Sequence, residues 1–272
     1  MSQDQQDRSD RFRALHEREG AFVIPNPWDA GSARVLAGLG FEALATTSSG
    51  LAFTFGRSDG AVTRDEHLAH IRDLVAATPL PVSADLENCY SDDPAQAAET
   101  IRLASEAGAS GCSIEDFSGH PGGHIYDFDH AVERVAAAVE VARALPIPFV
   151  LTARAENLIR GRDDLKDTIL RLQAFEKAGA DVLYAPGLKT PDEVRQVCSA
   201  VSKPVNVLAT PSLTVAEIAE AGGKRISVGG ALARAGIGGF LDAAREMADA
   251  GGFVPFGDAP SFGEINKLME RG

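Results

Sequence analysis

At 272 residues and 44% hydrophobic content, the chain is long enough to bury one sizeable core, and α/β barrels of about 250 residues commonly form one domain. Its 39 acidic against 26 basic residues give a formal charge of −13, which argues against a nucleic-acid surface, because neutralising phosphates requires a basic face. No run of about 20 apolar residues offers a membrane span, and Cys89, Cys112 and Cys198 have neither metal-ligand spacing nor the density of a disulfide scaffold.

The polar start does not resemble a secretory signal, so the expectation is a cytoplasmic enzyme with reduced thiols. An anionic small substrate stays open. It would need a metal or a local arginine to offset the general field.

From Ala21 onward, β-rich runs alternate with alanine-rich segments of helical period. Strands are expected at 22–25, 43–47, 82–85, 111–115, 149–153, 182–185, 205–208 and 226–228. Helices are expected at 29–39, 64–77, 94–107, 129–144, 164–178, 191–201 and 215–221, many ending in Ala-Gly or just before Pro. The phrases Glu106-Ala-Gly, Lys177-Ala-Gly and Glu220-Ala-Gly recur ahead of strands. Eight such units favour a closed (β/α)8 barrel over an open doubly wound sheet, and no Gly-rich dinucleotide fingerprint follows the first strand.

Residues 1–272 therefore read as a single (β/α)8 barrel domain, with 239–272 as a C-terminal helical extension. Within it, 239–250 and 261–271 are expected helices. The tail is a candidate oligomer contact, although its first segment equally suits a helix closing the protein's own barrel.

In such barrels catalytic groups sit where strands end, so the strand map nominates residues directly. The second strand ends in Thr46-Thr47-Ser48-Ser49-Gly50, whose hydroxyls and N–H groups suit a carboxylate or phosphate oxygen, or simply make a serine-rich turn. Asp59 in Gly56-Arg57-Ser58-Asp59-Gly60 either bends back toward the third strand or marks an Asp-Gly turn. The third strand runs into Asp85 and Glu87, which share a face if the strand continues.

The fourth strand supplies Glu115 and Asp116, and the fifth Arg154 and Glu156. Converging acids with oxygen-only donors favour Mg²⁺ or Mn²⁺ over zinc. Arg154 is either a bidentate carboxylate clamp or a structural ion-pair partner. Asn206 on the seventh strand either donates to a substrate oxygen or satisfies neighbouring backbone.

Five segments together resemble the isocitrate lyase/phosphoenolpyruvate mutase superfamily: Asn26-Pro-Trp-Asp-Ala-Gly-Ser-Ala-Arg, residues 47–59, Ser83-Ala-Asp-Leu-Glu-Asn, Ser113-Ile-Glu-Asp and Val205-Asn-Val-Leu. The resemblance implies a Mg²⁺-dependent barrel that binds 2-oxo acids or their enolates. It further implies that Asp85 coordinates the metal, that Asp59, Glu87 and Glu115 hold it directly or through water, that Thr47, Ser48 and Ser49 bind the substrate carboxylate, and that Arg154 stabilises the enolate.

The chain departs from the family in the loop after the fourth strand. The lyases carry Lys-x-Cys-Gly-His there and the phosphonomutases Lys-x-Asn-Ser, whereas this loop reads Phe117-Ser-Gly-His-Pro-Gly-Gly-His-Ile-Tyr. Its glycines suit a mobile lid. His120 or His124 either delivers a proton or is a solvent-exposed loop residue.

The expected function is a Mg²⁺-dependent lyase that cleaves a C–C bond of a small 2-oxo or 2-hydroxy carboxylate, decarboxylation included, through a pyruvate-like enolate. Alternatives are a phosphonopyruvate mutase or hydrolase, and a non-catalytic 2-oxo-acid-binding protein. Mn²⁺ is a possible substitute for Mg²⁺, and the resemblance implies a homo-oligomer, dimer or tetramer.

Overall fold

The computed structural model describes residues 3–119 and 122–271. Its first elements are α1 (Gln3–Glu17), β1 (Phe22–Ile24), α2 (Ala30–Gly38), β2 (Leu44–Ala45), α3 (Ser48–Thr54), α4 (Arg64–Ala77) and β3 (Val82–Asp85). There follow α5 (Pro94–Glu106), β4 (Gly111–Glu115), α6 (Phe128–Ala144), β5 (Val150–Arg154), α7 (Leu165–Ala178) and β6 (Val182–Tyr184). The chain closes with α8 (Pro191–Ala200), β7 (Val205–Leu208), α9 (Val215–Glu220), β8 (Arg225–Ser227), α10 (Ala231–Arg245) and α11 (Phe262–Arg271).

All eight strands pair in parallel in the order β1-β8-β7-β6-β5-β4-β3-β2. The two end strands meet through the Ala45 N–H donating to the Pro25 carbonyl at 3.0 Å. Asn26 stitches the same seam: its Nδ2 donates to the Thr46 carbonyl, and its Oδ1 accepts from the N–H groups of Val228 and Gly229, each at 2.9 Å. The expected (β/α)8 barrel is thus the fold.

The core lies between sheet and helices, where Leu86, Ile101, Ile114, Leu151, Leu172 and Phe175 are almost wholly buried. The recurring Ala-Gly phrases end helices in the left-handed region, with φ of 103° at Gly108 and 106° at Gly179. A Cβ on either would sit 2.8 Å from Val75 Cγ1 or 2.9 Å from Val139 Cγ1, so glycine serves both conformation and close approach.

Three elements differ from expectation: α1 and α3 are not among the expected helices, and α10 starts early. The helix after β8 begins at Ala231 rather than 239, directly succeeding its strand, and α11 folds back on α2, with Arg34 Nη1 donating to the Met269 carbonyl at 2.9 Å. The polar N-terminal stretch forms α1, which has too few apolar residues to show as a helix of amphipathic period. Tertiary burial stabilises it: Phe12 and Leu15 pack with Phe22, Ile24, Ala43, Val150 and Val182 at the N-terminal end of the barrel.

Phe12 is fully buried and lies 2.9 Å from where a Cβ on Gly111 would stand. Replacing it with alanine is expected to lower unfolding free energy by about 3–5 kcal/mol, the usual cost of emptying a large core site. Urea unfolding followed by circular dichroism measures this. A loss below about 1 kcal/mol would mean that α1 is not part of the cooperative core.

Candidate active site

The C-terminal ends of the strands surround a cavity of about 1050 Å³. The strand register lines up Glu115, Arg154, Tyr184, Asn206 and Arg225 side by side across β4 to β8. All five line the cavity, so one layer of the barrel is polar rather than packed with aliphatic side chains.

Arg154 is the centre of that layer. Its Nη1 donates to Asp85 Oδ1 at 2.6 Å, its Nε to Glu156 Oε1 at 3.0 Å, and its Nη2 lies 2.9 Å from Glu156 Oε1 and 3.1 Å from Glu115 Oε2. The guanidinium also lies 5.1 Å from the Tyr184 ring centroid. Burial disfavours its charge, but Glu156, Glu115 and Asp85 outweigh that and hold it firmly charged. Arg154 is thus ion-paired to acids and also faces the cavity.

Asp85 ends β3. Burial disfavours its charge, yet Arg154, the Ser48 N–H and His67 together hold the carboxyl below the usual range. Ser48 donates from both N and Oγ to Asp85 Oδ2, at 3.3 and 3.2 Å, and Ser113 Oγ donates to Oδ1 at 3.3 Å. The serine-rich segment is the start of α3, with Thr47 as its N-cap accepting from the Gly50 N–H and hydrogen-bonded to Ser49 Oγ at 3.1 Å. Thr47, Ser48 and Ser49 all line the cavity.

Glu87 reaches the same space by a different route from the one its spacing suggests. The strand stops at Asp85, and Glu87, Cys89 and Tyr90 then take φ of 54°, 58° and 61°, a left-handed run without glycine. Buried Arg134 on α6 clamps this turn, donating from Nη2 to the Asn88 carbonyl at 2.6 Å and from Nη1 to that of Ser91 at 2.5 Å. Glu87 is aimed by that turn rather than by strand alternation. Its Oε1 is buried without a hydrogen-bond partner, and burial, Asp85 and Asp59 push its carboxyl up to about 7. Asp59 is raised as well, by desolvation and by Asp85.

Glu115 is nearly fully buried, and burial with neighbouring Glu156 pushes its carboxyl well up. Asp116, the next residue, points away from the cavity and accepts from the Glu156 N–H at 2.7 Å and Arg171 Nη1 at 2.9 Å. Asn206 lines the cavity but is spoken for: its Nδ2 donates to Ser227 Oγ at 2.9 Å and its Oδ1 accepts from Arg225 Nε at 2.8 Å. Both partners are side chains rather than the neighbouring backbone, and these bonds use only one of the amide's two N–H groups.

His124 is exposed and is not among the cavity-lining residues; its ring meets Tyr126 edge-on at 5.7 Å. His120 lies outside the described residues. Two groups escaped the sequence reading. Arg160, in the turn after β5, lines the cavity and is signalled only by its place six residues beyond Arg154. His67, buried on α4, sits 3.2 Å from Thr46 Oγ1, which accepts from the Asp85 N–H at 2.8 Å; nothing in the sequence marks that chain of contacts.

Among the described residues no three acidic, histidine or cysteine side chains converge tightly enough to form a preassembled metal cage. The donor set nevertheless fits a hard cation. Its oxygens come from carboxylates along one wall, with Glu87 Oε1 left unpaired, and Mg²⁺ keeps several waters while using one or two protein carboxylates.

Comparison with known proteins places this geometry among relatives. The family model described as phosphoenolpyruvate phosphomutase matches residues 12–248. A crystal structure of a provisionally named lyase/mutase from Burkholderia cenocepacia J2315 superposes with a TM-score of 0.94 at 57% identity, covering 98% of this chain and 96% of that one. An uncharacterized protein of Mycobacterium tuberculosis is 34% identical over 241 residues, 88% of this chain and 89% of its own. The 2-methylisocitrate lyase of Halalkalibacterium halodurans is 31% identical over 208 residues, 74% and 67% of the two chains.

The raised Glu87 carboxyl makes a pH prediction for the protein without added divalent cation. A carboxyl near 7 when folded, against an ordinary 4.5, holds a proton in the folded state that the unfolded chain releases, so its contribution to stability is lost as pH rises between these values. Glu87→Gln should therefore make stability less dependent on pH across that window, gaining about 2 kcal/mol on wild type between pH 5 and pH 8. Urea titrations at both pH values measure it. Parallel pH profiles for the two proteins would count against an unpaired Glu87.

Proposed function

Because the chain belongs to the phosphoenolpyruvate phosphomutase family, we propose that it is a Mg²⁺-dependent lyase breaking a C–C bond of a small 2-oxo or 2-hydroxy carboxylate through a pyruvate-like enolate. Members of the wider isocitrate lyase/phosphoenolpyruvate mutase superfamily are lyases and mutases acting on small carboxylates, and are Mg²⁺-dependent. The observation that carries the reading is Arg154, held by Asp85, Glu115 and Glu156 while facing the cavity beside the hydroxyls of Thr47, Ser48 and Ser49.

In this proposal Asp85 holds Mg²⁺, with Asp59, Glu87 and Glu115 engaged directly or through water. When bound, the ion would supply Lewis acidity toward the charge that develops on the substrate. Thr47, Ser48 and Ser49 bind and orient the substrate carboxylate. Arg154 donates to the oxygen on which charge builds as the bond next to the carbonyl breaks. Its three acid partners keep it fixed, so little reorganisation is needed as that charge forms.

Protonation of the enolate carbon is assigned to the loop after β4, with His120 or His124 as donor; His124 serves only if the loop moves, since its ring now packs on Tyr126. Positive φ at Gly119 and Gly122 gives that loop its bends.

The test is turnover. Purified protein with Mg²⁺ should release pyruvate or CO₂ from at least one member of a panel of 2-oxo and 2-hydroxy acids, or exchange the C3 protons of pyruvate. Asp85→Asn and Arg154→Gln should each cut the rate by about 10²-fold or more, as removal of transition-state charge stabilisation does. No release and no exchange across the panel would overturn the proposal.

A second reading, C–P bond chemistry on phosphonopyruvate, is favoured by the description of the matching family model. Phosphorus NMR separates the two, because a phosphate or phosphoenolpyruvate signal would displace the C–C reading.

We also read the protein as a cytoplasmic homo-oligomer. Exposed Phe240, Phe253, Val254 and Phe262 toward the C-terminus support association. Light scattering should give a mass at least twice 28.6 kDa.

A further inference from the structure

We infer that Arg160, stacked on Phe117 at the cavity wall, reads a second carboxylate of the substrate, one lying beyond the reacting carbon. This rests on the enolate reading above and deepens it by naming the residue that selects a diacid.

Arg154, which ends β5, and Arg160, in the turn after it, pair with the same two glutamates at different closeness. Arg154 has all three nitrogens engaged by acids. Arg160 has none of its guanidinium N–H groups in a hydrogen bond among the described residues; its closest acid oxygens are Glu156 Oε2 at 3.4 Å and Glu115 Oε1 at 3.5 Å. Those distances lie beyond the N–H···O range of about 2.7–3.2 Å. A 40% exposed guanidinium, ion-paired to two glutamates but held by no close hydrogen bond, thus stands at the cavity wall with N–H groups to offer.

Its orientation is nonetheless set. The guanidinium carbon lies 3.9 Å from the Phe117 ring centroid, and the Arg160 N–H donates to the Glu156 carbonyl at 3.0 Å in the turn that follows β5. Stacking constrains the guanidinium while leaving its edge available, the arrangement that suits paired hydrogen bonds to a planar carboxylate.

Charge supports the same assignment. Arg160 acts electrostatically on Asp59, Glu87 and Glu115, so it offsets the acids that a second negative charge would meet on entry. Its apolar neighbours in the cavity wall, Phe117 and Ile159, cannot do this. The competing role is a latch, in which Arg160 only holds Phe117 and the loop in place. A latch would serve every ligand alike, whereas a reader discriminates by charge.

Malate and its C4 amide, malamate, differ by one distal charge at nearly equal shape, and oxalate lacks the distal group. Each is titrated directly by calorimetry, with Mg²⁺ present, into wild type, Arg160→Met and Arg160→Lys, with circular dichroism to verify folding. Wild type should bind malate at least about tenfold tighter than malamate, the scale of a charge-assisted hydrogen-bond pair. Arg160→Met should bring that ratio within about threefold while shifting oxalate affinity by less than about threefold, and Arg160→Lys should fall between, because it keeps charge without the planar fork.

A wild-type preference below about threefold, or one that survives in Arg160→Met, overturns the assignment. So does an equal loss of oxalate and malate, which is the latch result. Failure of oxalate to bind wild type would overturn the enolate reading instead, and the malate-to-malamate ratio would still judge Arg160.

Discussion

The structure is organised around one buried cation. Taking a guanidinium out of water costs several kcal/mol, and the cost is met only if acids surround it with good geometry. β3, β4 and the segment after β5 each supply such an acid, in Asp85, Glu115 and Glu156. Because the interaction spans three consecutive strands, the pairing of β3, β4 and β5 and the site's electrostatics are one problem. Its solution is uneven: Asp85 keeps its charge while Glu115, deeper and next to Glu156, has its carboxyl pushed up.

Around that centre, strain and packing aim the remaining groups. Three left-handed non-glycine residues within four positions are costly, and they persist because the surroundings over-determine them. Arg134 from α6 holds two carbonyls of the turn, Thr100 from α5 holds a third at Cys89, and Asn88 ties the turn to Ser118 in the next loop. The turn carrying Glu87 is therefore anchored to helices outside the barrel and to the loop after β4. Asn88 thus joins that loop to the turn that presents Glu87.

The polar layer also separates chemistry from stability along the barrel axis. At one end Phe12 from α1 plugs the barrel with aliphatic neighbours; at the other, Arg154 and its acids open to the cavity. In the same polar layer Arg225, Asn206 and Ser227 form a buried bonded group. Asn206 serves the layer by accepting from Arg225 Nε, while Arg225 Nη1 is buried without a hydrogen-bond partner among the described residues.

Alternation of strand and helix signals was enough to read eight units, and hence a closed barrel, because a strand of period two and a helix of period 3.6 leave different patterns in the chain. The strand ends then named Asp85, Glu115 and Arg154, since parallel strands all deliver their last residues to one face. Where the third dimension intervened, the sequence reading was incomplete. Glu87 reaches the cavity through a left-handed turn whose support comes from Arg134, 47 positions away. Thr46 meets His67, Asn206 meets Arg225, and the loop histidine His124 meets Tyr126 rather than the cavity. Local periodicity reports which face a residue takes within its own element. Which partner satisfies a buried polar group depends on contacts between distant elements, and only the folded chain decides those.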